Sequence, residues 1–326
     1  MRQATPMAPD PSTVPPRPDT RGLIAVVGPT GTGKTALAVR LALRLGGVEL
    51  LNADSRQVLR GLRVATSTPS PQDLAGVPCH LLEIIDPGEP FSVADWLGAA
   101  LRCLSDLERR EVLPIVVGGT GLYVRALLDG LELSGAPPDR LRRSSLNARA
   151  GSPEGLAGLA AELRRRDPEG AAGVDLRNPR RVVRALEIVE ERGSMGARAR
   201  SAAPRPGLRL GLDAAPELHR RWIEARAQAM LAGGLLDETE AALERGVAMA
   251  TLEASGIGYR EALRVIAGRM TPSAAADEIV RRTARYAKAQ RTWFRADRRV
   301  VWLRREADDD LEALAQRAQH LVAGGG

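Results

Sequence analysis

Lysine is nearly missing from this chain. Of 47 basic residues only Lys34 and Lys288 are lysine. Arginine substitutes well on a solvated face but poorly where a compact ammonium must fit. Both lysines are therefore expected where a guanidinium would not do. Cysteine is as scarce: Cys79 and Cys103 make neither a disulfide framework nor, by spacing, a metal site. Long apolar runs are lacking too, since none approaches the roughly 20 residues that cross a bilayer. The N-terminus has no signal-peptide core. These absences argue against a membrane or secreted protein and point to a reducing cytoplasm.

What is present describes a folded chain with an appetite for anions. The 326 residues are 44% hydrophobic and 27% charged, a globular composition with ample material for a core. One large domain or two smaller ones are expected. Net charge is +7 and the isoelectric point is near 10.3, so an anionic partner fits. General enrichment in Arg and Ala is the competing explanation.

The sharpest local signal is Gly22 to Thr35. An apolar run, Leu23 to Val27, stops at Gly28. Then follow Pro29, Thr30, Gly31, Thr32, Gly33, Lys34 and Thr35, matching G-x-x-x-x-G-K-T. Glycines let the backbone wrap a phosphate so that several N–H groups converge on it. The next helix places its positive end at the same spot. Lys34 can neutralise outer phosphate oxygens, and the Thr35 hydroxyl can hold Mg2+. Leu37, Leu41 and Leu45 at i, i+4 spacing supply the required helix. The segment binds a phosphate or pyrophosphate.

Along the chain, residues 1–21 are Pro-rich without periodicity and read as a disordered tail. Val48 to Ala53 is a second strand, delivering Asp54, Ser55, Arg56 and Gln57 at its carboxyl end. In a parallel α/β sheet ligands bind at that edge, and a carboxylate there can hold magnesium, act as a base or cap a turn. Residues 61–78 read as loop and Cys79 to Ile85 as a third strand. Ser92 with Asp95 starts a helix. Leu113 to Val117 is a fourth strand, ending in Gly118-Gly119-Thr120-Gly121. From 135 to 206 strand-like runs vanish, and Arg- and Ala-rich helical segments form an insertion. Leu208 to Leu212 returns as a strand, 216–245 and 271–297 are helical, and Val300 to Leu303 is a last strand. The expected fold is α/β: a P-loop NTPase-like parallel sheet covered by helices on both faces, with a mainly helical insertion domain. Its core comprises 22–134 and 207–326.

A phosphate-loop kinase wants a second acid at a strand end for magnesium, yet the fourth strand ends in Gly-Gly-Thr. Here the residues resemble the tRNA dimethylallyltransferases, also called tRNA isopentenyltransferases. The matching pieces are GPTGTGKT (28–35), NADSRQV (52–58), GVPCHLLEIIDP (76–87), FSVADW (91–96), PIVVGGTGLY (114–123), NPRRVVRALE (178–187), GIGYRE (256–261) and AKAQRTWFR (287–295). They occur in family order and span nearly the whole chain outside both tails.

The resemblance implies transfer of a dimethylallyl group from dimethylallyl diphosphate to the N6 amine of adenosine 37 in the tRNA anticodon loop. The tRNAs concerned read codons beginning with U. It also implies that Lys34, Thr35 with Mg2+, and Arg226 stabilise the leaving diphosphate, and that Asp54 is the general base. Thr120 would contact the target nucleotide, and Asp54, Ser55, Arg56 and Gln57 would be tRNA-binding. Arg142, Arg180, Arg181 and Arg184, then Gly258, Tyr259 and Arg260, then Lys288 and Arg291 fall on tRNA-facing segments. Tyr259 and Trp293 are candidates to stack on bases, with burial in the core as the alternative. A cytoplasmic monomer that uses no membrane is expected.

The chain departs from the family pattern after Gln57, where Leu59, Arg63, Ala65 and Thr68 replace the usual Tyr, Asp, Gly and Lys. The zinc finger of eukaryotic relatives is missing. An adenylate isopentenyltransferase, a P-loop nucleotide or small-molecule kinase, and a non-catalytic RNA-binding module stand as alternatives. The basic insertion argues against the first, because a small acceptor needs no such surface.

Overall fold

The computed structural model describes residues 22–131, 140–196, 205, 207–307 and 310–324. The Pro-rich stretch 1–21 lies outside them, as do positions 135 and 206, the expected limits of the insertion. The chain divides into two compact units, one within Met1–Leu128 and Pro204–Gly326, the other within Asp129–Ala203.

The first unit is built on a parallel sheet of order β3-β2-β4-β1-β5-β6. Its strands are β1 Leu23–Val27, β2 Val48–Asn52, β3 Cys79–His80, β4 Leu113–Gly118, β5 Gly207–Ala214 and β6 Val300–Arg305. Alternation explains why it is buried on both sides. Leu23, Ala25 and Val27 of β1 enter one apolar cluster, while Ile24 and Val26 enter the other. Val116 and its neighbours Ile115 and Val117 divide β4 the same way. A strand apolar on both faces needs cover on both.

On one face lie α1 (Lys34–Leu45) and α14 (Leu311–Ala323), contributing Leu37, Leu41, Leu314 and Ala318. On the other lie α3 (Val93–Arg109), α4 (Gly121–Asp129), α9 (Pro216–Ala232), α10 (Leu235–Glu244), α11 (Met249–Ser255), α12 (Tyr259–Ile266) and α13 (Pro272–Arg295). Trp96 of α3 is fully buried, stacked on Tyr123 at 4.4 Å between ring centres. Its indole N–H donates to the Asn52 carbonyl at 3.0 Å, which fastens α3 beneath the end of β2. Ser92 and Asp95 form the expected capping box.

Two expectations need correction. The third strand is only Cys79–His80, because Leu81 and Glu83 adopt positive φ (63° and 51°) and break the extended path. Only Ile85 rejoins, in an isolated bridge to Leu59. The 61–78 loop contains a short helix, α2 (Pro71–Leu74), capped by Ser70 and Asp73.

The second unit is helical in its described residues: α5 (Arg140–Arg149), α6 (Pro153–Arg166), α7 (Pro168–Ala172) and α8 (Pro179–Arg192). Its core gathers Leu146, Leu159, Leu163, Val182 and Leu186. No helix among the described residues is long and apolar enough to cross a membrane.

Candidate active site

The carboxyl ends of β1, β2 and β4 lie side by side, so the phosphate loop, Asp54 and Gly118-Gly119-Thr120 share one rim. Two close approaches make this possible. A β-carbon on Gly28, at φ +136°, would lie 2.3 Å from the Leu212 carbonyl oxygen; one on Gly118 would lie 2.2 Å from that of Ala53. Neither position has room for a side chain.

A cleft of about 670 Å³ opens on this rim. Thr30, Gly31, Gly33, Lys34 and Thr35 form its floor, with Asp54, Gln57 and Arg226 around it. The Lys34 ammonium donates to the Pro29 carbonyl at 2.8 Å. Burial pulls its pKa down to about 8, against the opposing pull of Asp54, and Arg226 lowers it further. Two cations thus share one desolvated place.

Arg226 reaches the loop from α9. Its Nη1 donates to the Thr30 hydroxyl at 3.0 Å and its Nη2 to the Ala65 carbonyl at 3.3 Å. Its Nε is buried and has no partner among the described residues. Burial also lowers its pKa. A buried donor left unpaired costs about 1–3 kcal/mol, more when charged, so this arrangement is suited to an anion. The divergent loop after Gln57 has a role here through the Ala65 carbonyl. Glu238 anchors that loop by accepting from the backbone N–H of Arg63 and Val64 at 2.6 and 3.0 Å.

Asp54 is half-buried. Its backbone N–H donates to the Asn52 side chain at 3.0 Å, and one carboxylate oxygen accepts from the Arg56 N–H at 2.9 Å. The Thr120 hydroxyl accepts from the Ser55 N–H at 2.9 Å, joining the β2 and β4 ends. Gln57 donates to the Ser67 carbonyl at 2.9 Å and Arg56 to that of Ala254 at 2.6 Å. Mg2+ prefers hard oxygen ligands. The Thr35 hydroxyl and Asp54 carboxylate in one cleft fit it. No group of three or more His, Cys, Asp or Glu side chains among the described residues is arranged to hold a metal.

Several other assignments change. Tyr259 is fully buried and donates to Glu238 at 2.7 Å; its ring is core, so it cannot stack on a base. Gly258 is buried beside it, and Arg260 is the exposed member of that segment. Arg291 is committed to Asp213, donating through Nε at 2.9 Å and Nη2 at 2.8 Å. Lys288 is exposed on α13, so the protein's own packing does not demand a small ammonium there. Trp293 is 41% exposed. In the helical unit Arg180 and Arg181 are exposed, Arg184 pairs with Glu187 at 3.2 Å and Arg142 with Glu190.

Sequence reasoning missed Gln290. Its side chain accepts from the Thr30 N–H at 2.8 Å and donates to the Gly119 carbonyl at 2.9 Å, tying the phosphate loop to β4. Its place within AKAQRTWFR was the available signal.

The IPP transferase family model matches residues 57–297. The chain belongs to the IPP transferase family. It is therefore a transferase of the prenyl-transferring class. The tRNA dimethylallyltransferase of Roseiflexus sp. (strain RS-1) is 41% identical over 304 residues, 92% of this chain and 97% of its own. That of Geobacter metallireducens is 42% identical over 287 residues, 86% and 92%. The tRNA isopentenylpyrophosphate transferase of Bacillus halodurans matches in three dimensions with a TM-score of 0.69 at 36% identity, covering 93% of this chain and 96% of that one. A eukaryotic dimethylallyltransferase, captured in crystallographic snapshots acting on tRNA, gives 0.74 at 25% identity, covering 91% and 77%.

Proposed function

We propose that the protein transfers the dimethylallyl group of dimethylallyl diphosphate to the exocyclic N6 amine of adenosine 37 in the anticodon loop of tRNAs that read U-initial codons. The products are N6-isopentenyladenosine and diphosphate. The observation that carries this reading is the unpaired, buried Nε of Arg226, beside Lys34 and across one cleft from Asp54.

In this reading the loop amides, Lys34 and Arg226 receive the diphosphate. Charge builds on that group as the allylic C–O bond breaks, and donors fixed in advance stabilise it without reorganising. Bound magnesium would add positive charge to the same leaving group, with Thr35 among its ligands. The adenine amine forms the new C–N bond and gives up one proton, which the Asp54 carboxylate accepts. Thr120 and Ser55, joined to each other, line the nucleotide side. The base must leave its stack, at a few kcal/mol. Phosphate contacts from Arg180, Arg181 and Arg184 of the helical unit would help offset this.

The test is incubation with dimethylallyl diphosphate and unmodified tRNA, followed by mass analysis of the nucleosides. Isopentenyladenosine at position 37 is expected. Prenylated AMP with untouched tRNA would favour a free-nucleotide acceptor, and phosphate transfer from ATP without prenyl product would favour a kinase.

A further inference from the structure

His219, on α9 behind the phosphate loop, is 3% exposed and does not line the cleft. Its Nε2 lies 2.8 Å from the Thr30 carbonyl oxygen and its Nδ1 lies 3.0 Å from Arg291 Nη2. A guanidinium only donates, so Nδ1 accepts. The ring's one proton is then on Nε2, donated to Thr30. Burial above all, with the Arg291 and Lys34 charges, disfavours a second proton, outweighing the opposing pull of the Thr30 carbonyl and Asp213.

Behind His219 the chain of contacts ends in the sheet. Asp213, near the end of β5, holds Arg291 through both carboxylate oxygens and also accepts from Arg295 at 3.1 Å. Thr30 is thereby gripped at three points: its carbonyl by His219, its N–H by Gln290 and its hydroxyl by Arg226. In a trans peptide the carbonyl and the following N–H point in opposite directions. Holding the Thr30 carbonyl toward α9 therefore aims the Gly31 N–H at the cleft. Without that anchor this glycine-flanked peptide is free to flip and present a carbonyl to an anion.

We infer that His219, locked by Arg291 as the Nε2–H tautomer, is a positioning residue that aims the Gly31 N–H at the diphosphate. The inference rests on the diphosphate reading of the loop. It also gives Arg291 an internal task in place of an RNA contact.

Two measurements test it. In nitrogen-15 NMR at pH 7, His219 should be neutral and protonated on Nε2; an Nδ1–H or doubly protonated ring would overturn the inference. Calorimetry with inorganic pyrophosphate should show binding about fivefold to tenfold weaker in His219→Leu, with tRNA affinity unchanged. His219→Gln, whose amide can offer a donor at the Nε2 position, should stay within about threefold of wild type. Should His219→Leu fail to fold, His219→Asn, too short to reach the Thr30 carbonyl, takes its place. Equal affinity in wild type and the non-donating variant, or equal loss in Gln and Leu, would overturn the positioning role alone. A wild-type protein that binds no pyrophosphate would overturn the functional reading as well.

Discussion

Asp54 and Lys34 carry the account at the level of single residues. Asp54→Asn keeps the shape but cannot take the amine proton, so prenyl transfer should fall by about 10²-fold or more. Single-turnover kinetics with tRNA binding retained would show it, and an unchanged rate would remove Asp54 as the base. Lys34 gives a pH signature. Its folded-state pKa, about 8, lies below the ordinary 10.5, so the unfolded chain holds this proton more firmly. The resulting loss of stability is complete below pH 8 and fades as pH rises toward 10.5. A bound anion favours the ammonium, so pyrophosphate affinity should drop as pH climbs through about 8, with proton uptake on binding. Lys34→Arg, which does not titrate there, should show less of this dependence; equal pH profiles would contradict the assignment. The loop and Asp54 were legible because each is a short segment whose neighbours in sequence are its neighbours in space. His219, Gln290 and the buried state of Tyr259 were not. Each is decided by partners from 21 to 260 residues away.

Elements matter because they bring separate strand ends within reach. Continuous apolar runs at β1 and β4, with helical segments between the strands, announced a sheet covered on both faces, and the Ser92–Asp95 pair announced the start of α3. The third strand failed because positive φ at Leu81 and Glu83 belongs to non-glycine residues whose type does not advertise it. The sheet also explains a site defect that touches no ligand. Gly118→Ala would drive a methyl group into the Ala53 backbone, 2.2 Å away. Overpacking of this kind costs roughly 1–3 kcal/mol. Because Asp54 follows directly, the melting temperature and the transfer rate should fall together. A variant with wild-type values of both would show that β2 and β4 can separate freely.

At the scale of the whole molecule, two compact units divide the proposed work. In the proposed division the parallel-sheet unit would hold the transfer chemistry and the arginine-rich helical unit would supply a surface for nucleic acid. Phosphate contacts release counterions, so each contributes to the salt slope of affinity. Replacing Arg180, Arg181 and Arg184 together by Ala should reduce that slope by up to about 3, measured by tRNA binding across a salt series. An unaltered slope would leave them as a solvated helix face. Arg184, already paired with Glu187, is expected to contribute least. The chain's basic charge foretold an anionic partner, but composition alone did not distinguish a phosphate-bearing small molecule from RNA.

The central claim is that Arg226 holds a diphosphate in the cleft it lines, and pyrophosphate calorimetry on Arg226→Met tests it most directly. Affinity should fall by about tenfold or more, with tRNA affinity and melting temperature preserved. Pyrophosphate binding as tight as in the wild type would contradict the account.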